Sequence, residues 1–362
     1  MTLTLSSYLA SILPKAKARR IPLSGQFEIT PRCNLACKMC YIANPGSDYN
    51  PASQELSAAD WIRLAEEARE AGMINLLLTG GEVFMRKDFR ELYEALKGMG
   101  FLIKIYSNGT LIDSETAAWL GSIKPFQVEI TLYGASAETY GKVTGHPEAF
   151  SKAISGIDCL LKEGIPLKLR TTVVRDNYRD FDEIARIAEE RELKWGVVNY
   201  IMPVRKDTGR MSETYRLPPD LQIEYETGVE EYFAGKQEDS RQSLDFEEFS
   251  NDPYAAAPDE QLNAYKCLAG KTAFWITWRG EMTPCSSIDE TGIYPLRSGF
   301  QTAWDGLKNF CDLTPVCEEC VQCIYREKCM TCPARLKLET GSFDIKSSYL
   351  CELAKRKSSI GL

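Results

Sequence analysis

The stretch Gln26–Cys40, "QFEITPRCNLACKMC", joins a short apolar segment directly to three cysteines. Its first five residues have the composition of a β-strand, so Cys33, Cys37 and Cys40 lie in the loop that follows this strand. A tetrahedral zinc site and an iron-sulfur cube each take four ligands, and this loop offers three. The fourth ligand therefore decides the chemistry, and the strand decides where in the fold that chemistry takes place.

The same pattern of strand and helix continues along the chain. Five further apolar runs predict strands: "MINLLLTGG", "FLIKIYSNG", "FQVEITLYG", "IPLKLRTTVV" and "WGVVNYIMP". Amphipathic stretches such as "SAADWIRLAEEAREAG" predict helices between them. This alternation favours an α/β fold with a parallel sheet, either doubly wound or curved into a whole or partial barrel. In a parallel barrel, the cysteine loop would lie at the carboxyl ends of the strands, where active sites are found.

Composition excludes several classes of partner. The 362 residues carry a formal net charge of -8, which argues against nucleic acid and against an anionic membrane surface. The amino terminus lacks the order of a secretory signal, and no run reaches membrane-spanning length, so we expect a cytoplasmic protein. The 13 cysteines cannot all pair within one chain, and in a reducing compartment they are metal ligands or inert thiols. The single histidine, His146, lies in "TGHPEAF", where a solvated or capping role is more common than metal binding.

The sequence divides into four regions. Residues 1–25 form an amino-terminal segment that is too short for a winged-helix domain able to bind a leader peptide. Residues 26–216 form the α/β region, and residues 217–262 form an acidic helical linker. Residues 263–362 form a smaller domain rich in cysteine, glycine and short strands.

The spacing C-x3-C-x2-C after the first strand, with "TGGE" after the second, resembles the radical S-adenosylmethionine (SAM) superfamily. The resemblance implies a partial (β/α)6 TIM-like barrel. It also implies that Cys33, Cys37 and Cys40 hold three irons of a [4Fe-4S] cluster. SAM then chelates the fourth iron through its amino and carboxylate groups, so the missing ligand is the cofactor itself.

The resemblance implies further contacts with SAM. Gly80, Gly81 and Glu82 match the "GGE" motif, in which bare glycine backbone lets the methionine amino group approach. Met39 stands where the family usually has an aromatic residue against adenine, and its thioether can cover the same face. Arg170 is placed to pair with the SAM carboxylate or, equally, to form a salt bridge at the barrel mouth. The other implied contacts are Ser107, Asn108 and Thr131.

The carboxy-terminal cysteines resemble the SPASM extension, which carries two auxiliary [4Fe-4S] clusters. The implied ligands of the outer cluster, auxiliary cluster II, are Cys320, Cys323, Cys329 and Cys351. Those of the inner cluster, auxiliary cluster I, are Cys267, Cys285 and Cys332. The fourth inner position is either open to substrate or filled by Cys317. A pair of zinc sites is the alternative, since C-x2-C pairs bind zinc often. Cys159 and Cys311 are expected to be buried thiols without a ligand role.

These resemblances imply an enzyme with three [4Fe-4S] clusters that cleaves SAM and uses the 5'-deoxyadenosyl radical to modify a peptide, for example by a thioether or carbon-carbon cross-link. The expected partners are the peptide and an electron donor such as flavodoxin or ferredoxin. The leader is expected to bind either a separate protein or the barrel directly. Ser286 follows Cys285 where sulfatase-maturing enzymes typically have an aspartate, which counts against that activity. The alternatives are an oxidoreductase acting on a small molecule or tetrapyrrole in cofactor biosynthesis, and a zinc-binding or electron-transfer scaffold. No general base can be identified from the sequence.

Overall fold

The structure is a computed structural model that describes residues 5–42, 55–203, 214–235, 264–289 and 291–360. The described strands are β1 (Ser24–Thr30), β2 (Asn75–Gly80), β3 (Leu102–Ser107), β4 (Gln127–Thr131), β5 (Leu167–Thr172), β6 (Lys194–Val198), β7 (Ala273–Ile276) and β8 (Met282–Thr283). The described helices are α1 (Leu5–Arg19), α2 (Ala58–Glu70), α3 (Phe89–Gly98), α4 (Ser114–Ser122), α5 (Ala137–Thr144), α6 (Ala149–Lys162), α7 (Phe181–Glu189), α8 (Pro219–Ala234), α9 (Pro295–Ser298), α10 (Phe300–Leu313), α11 (Glu318–Val321), α12 (Pro333–Thr340) and α13 (Ser348–Ile360).

The strands of the described residues form one sheet in the order β6-β5-β4-β3-β2-β1-β7-β8. Strands β1 to β6 pair in parallel, each with its neighbour in the sequence. Strand β7 adds to β1 in parallel, and β8 returns antiparallel to β7. The six strands predicted from the sequence and the predicted parallel sheet are therefore confirmed.

The two faces of the sheet differ in chemistry. Phe27 and Ile29 of β1 and Ile103 and Ile105 of β3 are fully buried in the hydrophobic core. Because side chains alternate along a strand, the residues between them point to the opposite face, which we call the lumen. The charged lumen residues of β1 to β5 are Glu28, Lys104, Glu129, Lys168 and Arg170. The sheet thus has an apolar outer face and a charged inner one.

The carboxy-terminal region contributes to this sheet. Trp275 of β7 donates a hydrogen bond from Nε1 to Glu28 Oε2 at 3.2 Å. The ring of Phe274 packs against that of Phe300 at the start of α10, with their centroids 5.2 Å apart. The sheet is therefore continuous across the sequence boundary predicted near residue 263.

The other predicted regions are partly described. The amino-terminal segment contains α1, and the acidic linker begins with α8. Residues 236–263, which hold the rest of the acidic run, lie outside the described residues. Among the described helices, none has both the length and the apolar character needed to cross a bilayer.

Candidate active site

The three amino-terminal cysteines lie in the loop that leaves the carboxyl end of β1. The backbone N–H groups of Ala36 and Lys38 donate to the carbonyls of Thr144 and Val143, at 2.9 and 3.0 Å. These carbonyls lie at the end of α5, where they have no partner within the helix. The cysteine loop is therefore held by the backbone of α5 and not by regular structure of its own.

Gly80 and Gly81 let the end of β2 lie directly against the start of the cysteine loop. The N–H of Gly81 donates to the carbonyl of Thr30 at 2.7 Å, and that of Glu82 donates to the carbonyl of Arg32 at 2.8 Å. A Cβ atom added to Gly81 would lie 2.2 Å from the Arg32 oxygen. Gly80 has a φ of +146°, and its added Cβ would lie 2.3 Å from the Thr30 oxygen. Both glycines are thus needed for the backbone packing that positions the loop.

The carboxylate of Glu82 joins the ends of β2 and β3. It is fully buried and accepts hydrogen bonds from Ser107 Oγ at 2.9 Å, the Asn108 N–H at 2.7 Å and the Phe84 N–H at 3.2 Å. Burial nevertheless raises its pKa to about 7, more than these donors lower it. These three donors carry no positive charge, so a cationic group placed beside Glu82 would stabilise its ionised form.

Asn108 connects this carboxylate to the first cysteine. Its Nδ2 lies 3.7 Å from Cys33 Sγ and donates to Asn34 Oδ1 at 3.0 Å. Thr110 Oγ1 donates to Asn108 Oδ1 and accepts from Asn34 Nδ2, both at 2.7 Å. Sequence reasoning missed the roles of Asn34 and Thr110, because Asn34 lies 76 residues from its partner and no local pattern indicates the contact.

The electrostatics of the Cys33 and Cys37 thiols favour a bound cationic centre. Burial raises the pKa of Cys33 to about 11 and that of Cys37 well above its ordinary value. The charge of Cys40 raises both further, while a hydrogen bond from the Tyr133 side chain lowers the pKa of Cys37. Thiols in this setting become thiolates only when a metal compensates their charge. The donor set of three sulfurs, with Cys37 buried and Cys33 and Cys40 half-buried, therefore fits three irons of a cluster. Tyr133 is a second residue that the sequence did not reveal.

Arg170 makes the salt bridge that the sequence left open as an alternative. Its Nε and Nη2 lie 3.0 and 2.9 Å from Glu129 Oε2 in the lumen. Lys104 Nζ lies 3.7 Å from the other oxygen of Glu129. Thr131 is the register partner of Arg170, and Met39 is buried in the hydrophobic core. The structure therefore brings Gly80, Gly81, Glu82, Ser107, Asn108 and Cys33 into one connected group, and it places Arg170 against Glu129.

The four cysteines expected to hold the outer cluster line one cavity. This cavity has a volume of about 270 Å³ and is lined by Cys320, Cys323, Cys329 and Cys351. Burial, and then the charges of Cys351 and Cys323, raise the pKa of Cys329. The cavity and its sulfur donors fit a cluster of this kind.

The cysteines expected to hold the inner cluster also lie together. Burial, and then the charges of Cys332 and Cys267, raise the pKa of Cys285 to about 12. Cys317 lies elsewhere, since its sulfur contacts that of Cys320 in the outer group. Within the described residues, no three His, Cys, Asp or Glu side chains are arranged to hold a single metal ion.

Comparison with known proteins identifies the domain that carries the first cysteine group. Residues 27–188 match the radical SAM superfamily. The chain is 33% identical over 163 residues to an AdoMet-dependent heme synthase of Oleidesulfovibrio alaskensis, covering 45% of this chain and 41% of that protein. It is 26% identical over 340 residues to an AdoMet-dependent heme synthase of Methanosarcina barkeri, covering 89% of this chain and 94% of that protein. It is 24% identical over 269 residues to the sporulation killing factor maturation protein SkfB of Bacillus subtilis, covering 74% of this chain and 61% of that protein.

The fold is similar to that of SuiB from Streptococcus suis. The structure of SuiB bound to S-adenosylmethionine has a TM-score of 0.70 and 18% identity, and the alignment covers 96% of this chain and 83% of SuiB. The structure of SuiB bound to its precursor peptide SuiA has a TM-score of 0.69 and 17% identity, with 95% and 79% covered. The predicted fold, a partial barrel followed by a cysteine-rich region, is confirmed, and residues 27–188 are a radical SAM domain.

Proposed function

We propose that this protein is a radical SAM enzyme that holds a [4Fe-4S] cluster on Cys33, Cys37 and Cys40, cleaves SAM reductively, and removes a hydrogen atom from a substrate in the lumen. One observation carries the proposal: a loop with three cysteine thiols is joined to the ends of β2 and β3 through Gly81, Glu82 and Asn108. When bound, the cluster and SAM supply an electron and a 5'-deoxyadenosyl radical. The protein chain holds SAM and the substrate in position and excludes water from the site.

The residues around the thiols have positions that fit the binding of SAM. Glu82, at the carboxyl end of β2, would receive the methionine amino group beside the bare backbone of Gly80 and Gly81. Ser107 and Asn108 would orient the ribose and carboxylate, since Glu82 already fixes both in place. Met39 would cover adenine, and Thr131 would close the site at the end of β4. Arg170 would reach the SAM carboxylate while it remains paired with Glu129.

The substrate we favour is a peptide side chain. The support is the pair of carboxy-terminal cysteine groups, which match the SPASM pattern of peptide-modifying enzymes, together with the resemblance to SkfB. These groups would hold two auxiliary clusters, giving three in the chain. A flavodoxin or ferredoxin would donate electrons, and a separate protein would bind the leader.

A tetrapyrrole is the second candidate, and two observations favour it. The alignment with the Methanosarcina barkeri heme synthase spans nearly the whole of both chains. Lys104, Lys168 and Arg170 also place three cationic side chains on the lumen around Glu129, a surface that suits the carboxylates of such a ring.

Cleavage of SAM tests the proposed chemistry. Anaerobically reconstituted protein with SAM and dithionite is expected to release 5'-deoxyadenosine. The Cys33→Ala, Cys37→Ala, Cys40→Ala triple variant is expected to release none while keeping the iron and sulfide of the carboxy-terminal clusters. Cys159→Ala, which removes a cysteine outside both arrays, is the matched control and is expected to behave as wild type. Cleavage by the triple variant would overturn the assignment.

Binding of an iron porphyrin with propionate side chains separates the two substrate classes. If the substrate is a peptide, the visible absorption of the porphyrin is expected to be the same with and without the protein. The porphyrin is then also expected not to alter 5'-deoxyadenosine release. A spectral shift that is lost in Lys168→Ala, together with decarboxylated product, would replace the peptide with a tetrapyrrole.

A further inference from the structure

Cys311 lies against the turn that follows Cys267. It belongs to α10 and is fully buried. A Cβ atom built on Gly270 would lie 2.6 Å from Cys311 Sγ and 3.0 Å from its Cβ. Gly270 adopts a φ of +63° and stands three residues after Cys267. The absence of a side chain at Gly270 therefore lets the sulfur of Cys311 approach the backbone of the turn that begins at an inner-cluster cysteine.

The packing of the carboxy-terminal region separates Cys311 from Cys317. Cys311 belongs to the main core, and Cys267, Cys285 and Cys332 pack against that same core. Cys317 belongs to a second, smaller cluster, in which Cys320 and Cys329 of the outer group also pack. Of the two additional cysteines near these arrays, Cys317 therefore packs with the outer group and Cys311 does not.

The surrounding electrostatics agree with this placement. The charges of Cys267 and Cys285 both act on Cys311, in addition to its burial. The buried Tyr265, two residues before Cys267, lies within electrostatic range of Cys311, Cys285 and Cys332. Tyr265 therefore lies amid sulfurs from separate elements that converge on one place.

We propose that Cys311 is the fourth ligand of the inner iron-sulfur cluster, completing the set of Cys267, Cys285 and Cys332. The proposal rests on the proposed function, because it assumes that this region holds a cluster. A cube binds each thiolate at a separate iron, so its four ligands need not converge on one metal ion. Full coordination by the chain leaves no inner iron for a substrate to bind. The sequence could not indicate this ligand, because Cys311 has an ordinary helical setting and no motif spacing.

The test uses the full-length Cys33→Ala, Cys37→Ala, Cys40→Ala variant, reconstituted anaerobically, so that only the carboxy-terminal clusters remain. Into this parent we introduce Cys311→Ala, Cys311→Ser, Cys317→Ala or the control Cys159→Ala. Iron, sulfide and electron paramagnetic resonance are measured before and after mild oxidation. A cluster with three protein ligands loses its unprotected iron on oxidation, whereas one with four retains it.

We expect the parent, the Cys317→Ala form and the Cys159→Ala form to keep their four-iron clusters. Cys311→Ala and Cys311→Ser are expected to lose about one iron per chain and to show a three-iron signal after oxidation. Cyanide binds an iron that has an open coordination position. Adding it to the reduced parent is therefore expected to leave the electron paramagnetic resonance spectrum unchanged, and this test needs no substitution at Cys311.

Several results would overturn the proposal. One is a three-iron signal or a cyanide-induced change already present in the parent, since either shows an open iron. Another is iron loss caused by Cys317→Ala and not by Cys311→Ala. A parent that assembles no iron and sulfide would overturn the auxiliary clusters as well. By contrast, loss of SAM cleavage in otherwise wild-type protein with intact auxiliary clusters would affect only the proposed function.

Discussion

Gly81 shows how a single missing methyl group positions the cysteine loop. Its Cβ would lie 2.2 Å from the Arg32 carbonyl oxygen, and this neighbour is backbone, so it cannot rotate away. Gly81→Ala is therefore expected to destabilise the protein by roughly 1–3 kcal/mol and to displace the loop. Thermal unfolding of the protein without clusters measures the first effect, and SAM cleavage after reconstitution measures the second.

Gly98→Ala is the control for this change. Gly98 is the last residue of α3, and an added Cβ there meets nothing within 4 Å. This substitution is expected to be neutral or to stabilise the helix by up to about 1 kcal/mol. If Gly81→Ala unfolds at the same temperature as wild type and cleaves SAM at the same rate, the close packing of β2 against the loop is not required.

Glu82 gives a pH dependence whose sign follows from its burial. Its pKa rises from 4.5 to about 7 in the folded state, so the folded protein holds the proton more tightly than the unfolded chain does. Its contribution to stability is therefore greatest at low pH, falls as pH rises from about 4.5 to 7, and is constant above that. Between about pH 5 and pH 8, wild type is expected to lose roughly 2–3 kcal/mol more than Glu82→Gln. Urea unfolding of both proteins without clusters measures this difference, and parallel pH profiles would contradict it.

At the residue scale, spacing in the sequence indicates candidate ligands but not the residues that surround them. Cys33, Cys37 and Cys40 stand out because three thiols fall within eight residues after a strand. The sequence alone does not decide the role of Arg170, because the SAM carboxylate and a carboxylate on a neighbouring strand, here that of Glu129, would satisfy the same charge. Contacts such as that of Tyr133 with Cys37 join residues distant in sequence, so no local pattern contains them.

At the scale of elements, α2 and α10 are linked by a cap supplied from outside the helix. Gly299 precedes α10 with a φ of +79° and has no side chain to cap it. Glu67 of α2 accepts a hydrogen bond at 2.7 Å from the N–H of Phe300, the first residue of α10. A carboxylate at a helix amino terminus accepts a hydrogen bond from a free N–H and interacts favourably with the positive end of the helix dipole.

Glu67→Ala is accordingly expected to cost about 1–2 kcal/mol of stability. Glu67→Gln is expected to recover part of this, since an amide oxygen still accepts the hydrogen bond. The exposed Glu66→Ala on the same helix is the control and is expected to change little. Chemical denaturation measures all three. Equal stability of Glu67→Ala and Glu66→Ala would show that the cap contributes nothing.

The strands and helices of the repeated strand-helix pattern were predictable from the sequence. Each buries one face, so its apolar residues recur with the period of a strand or of a helix. The runs of β1 to β6 and helix α2 lie where periodicity placed them. The pairing of β7 with β1 was not predictable, because the two strands are separated by more than 240 residues and a four-residue apolar segment has no marked period.

At the scale of the whole molecule, this pairing makes the barrel depend on the carboxy-terminal region. Strand β7 covers the edge of β1, its Phe274 packs against Phe300, and its Trp275 bonds to the buried Glu28. Without β7, the backbone of β1 would become an unpaired sheet edge next to the cysteine loop, and Phe27 would lose its packing partner Phe274. Exposed edges of this kind promote aggregation.

A pair of truncated chains tests this dependence. A chain ending at residue 263 lacks β7, and we expect it to aggregate or to unfold without a cooperative transition. A chain ending at residue 314 keeps β7, β8 and α10 and loses only the contacts made by later residues, such as those of Tyr349 with Leu217 and Glu339 with Arg216. We expect it to remain monomeric and to unfold cooperatively at a lower temperature than the full chain. Size-exclusion chromatography and thermal denaturation, both without clusters, distinguish the two. If the chain ending at 263 is monomeric and melts near the full-length temperature, the strands β1 to β6 fold independently and β7 is an accessory.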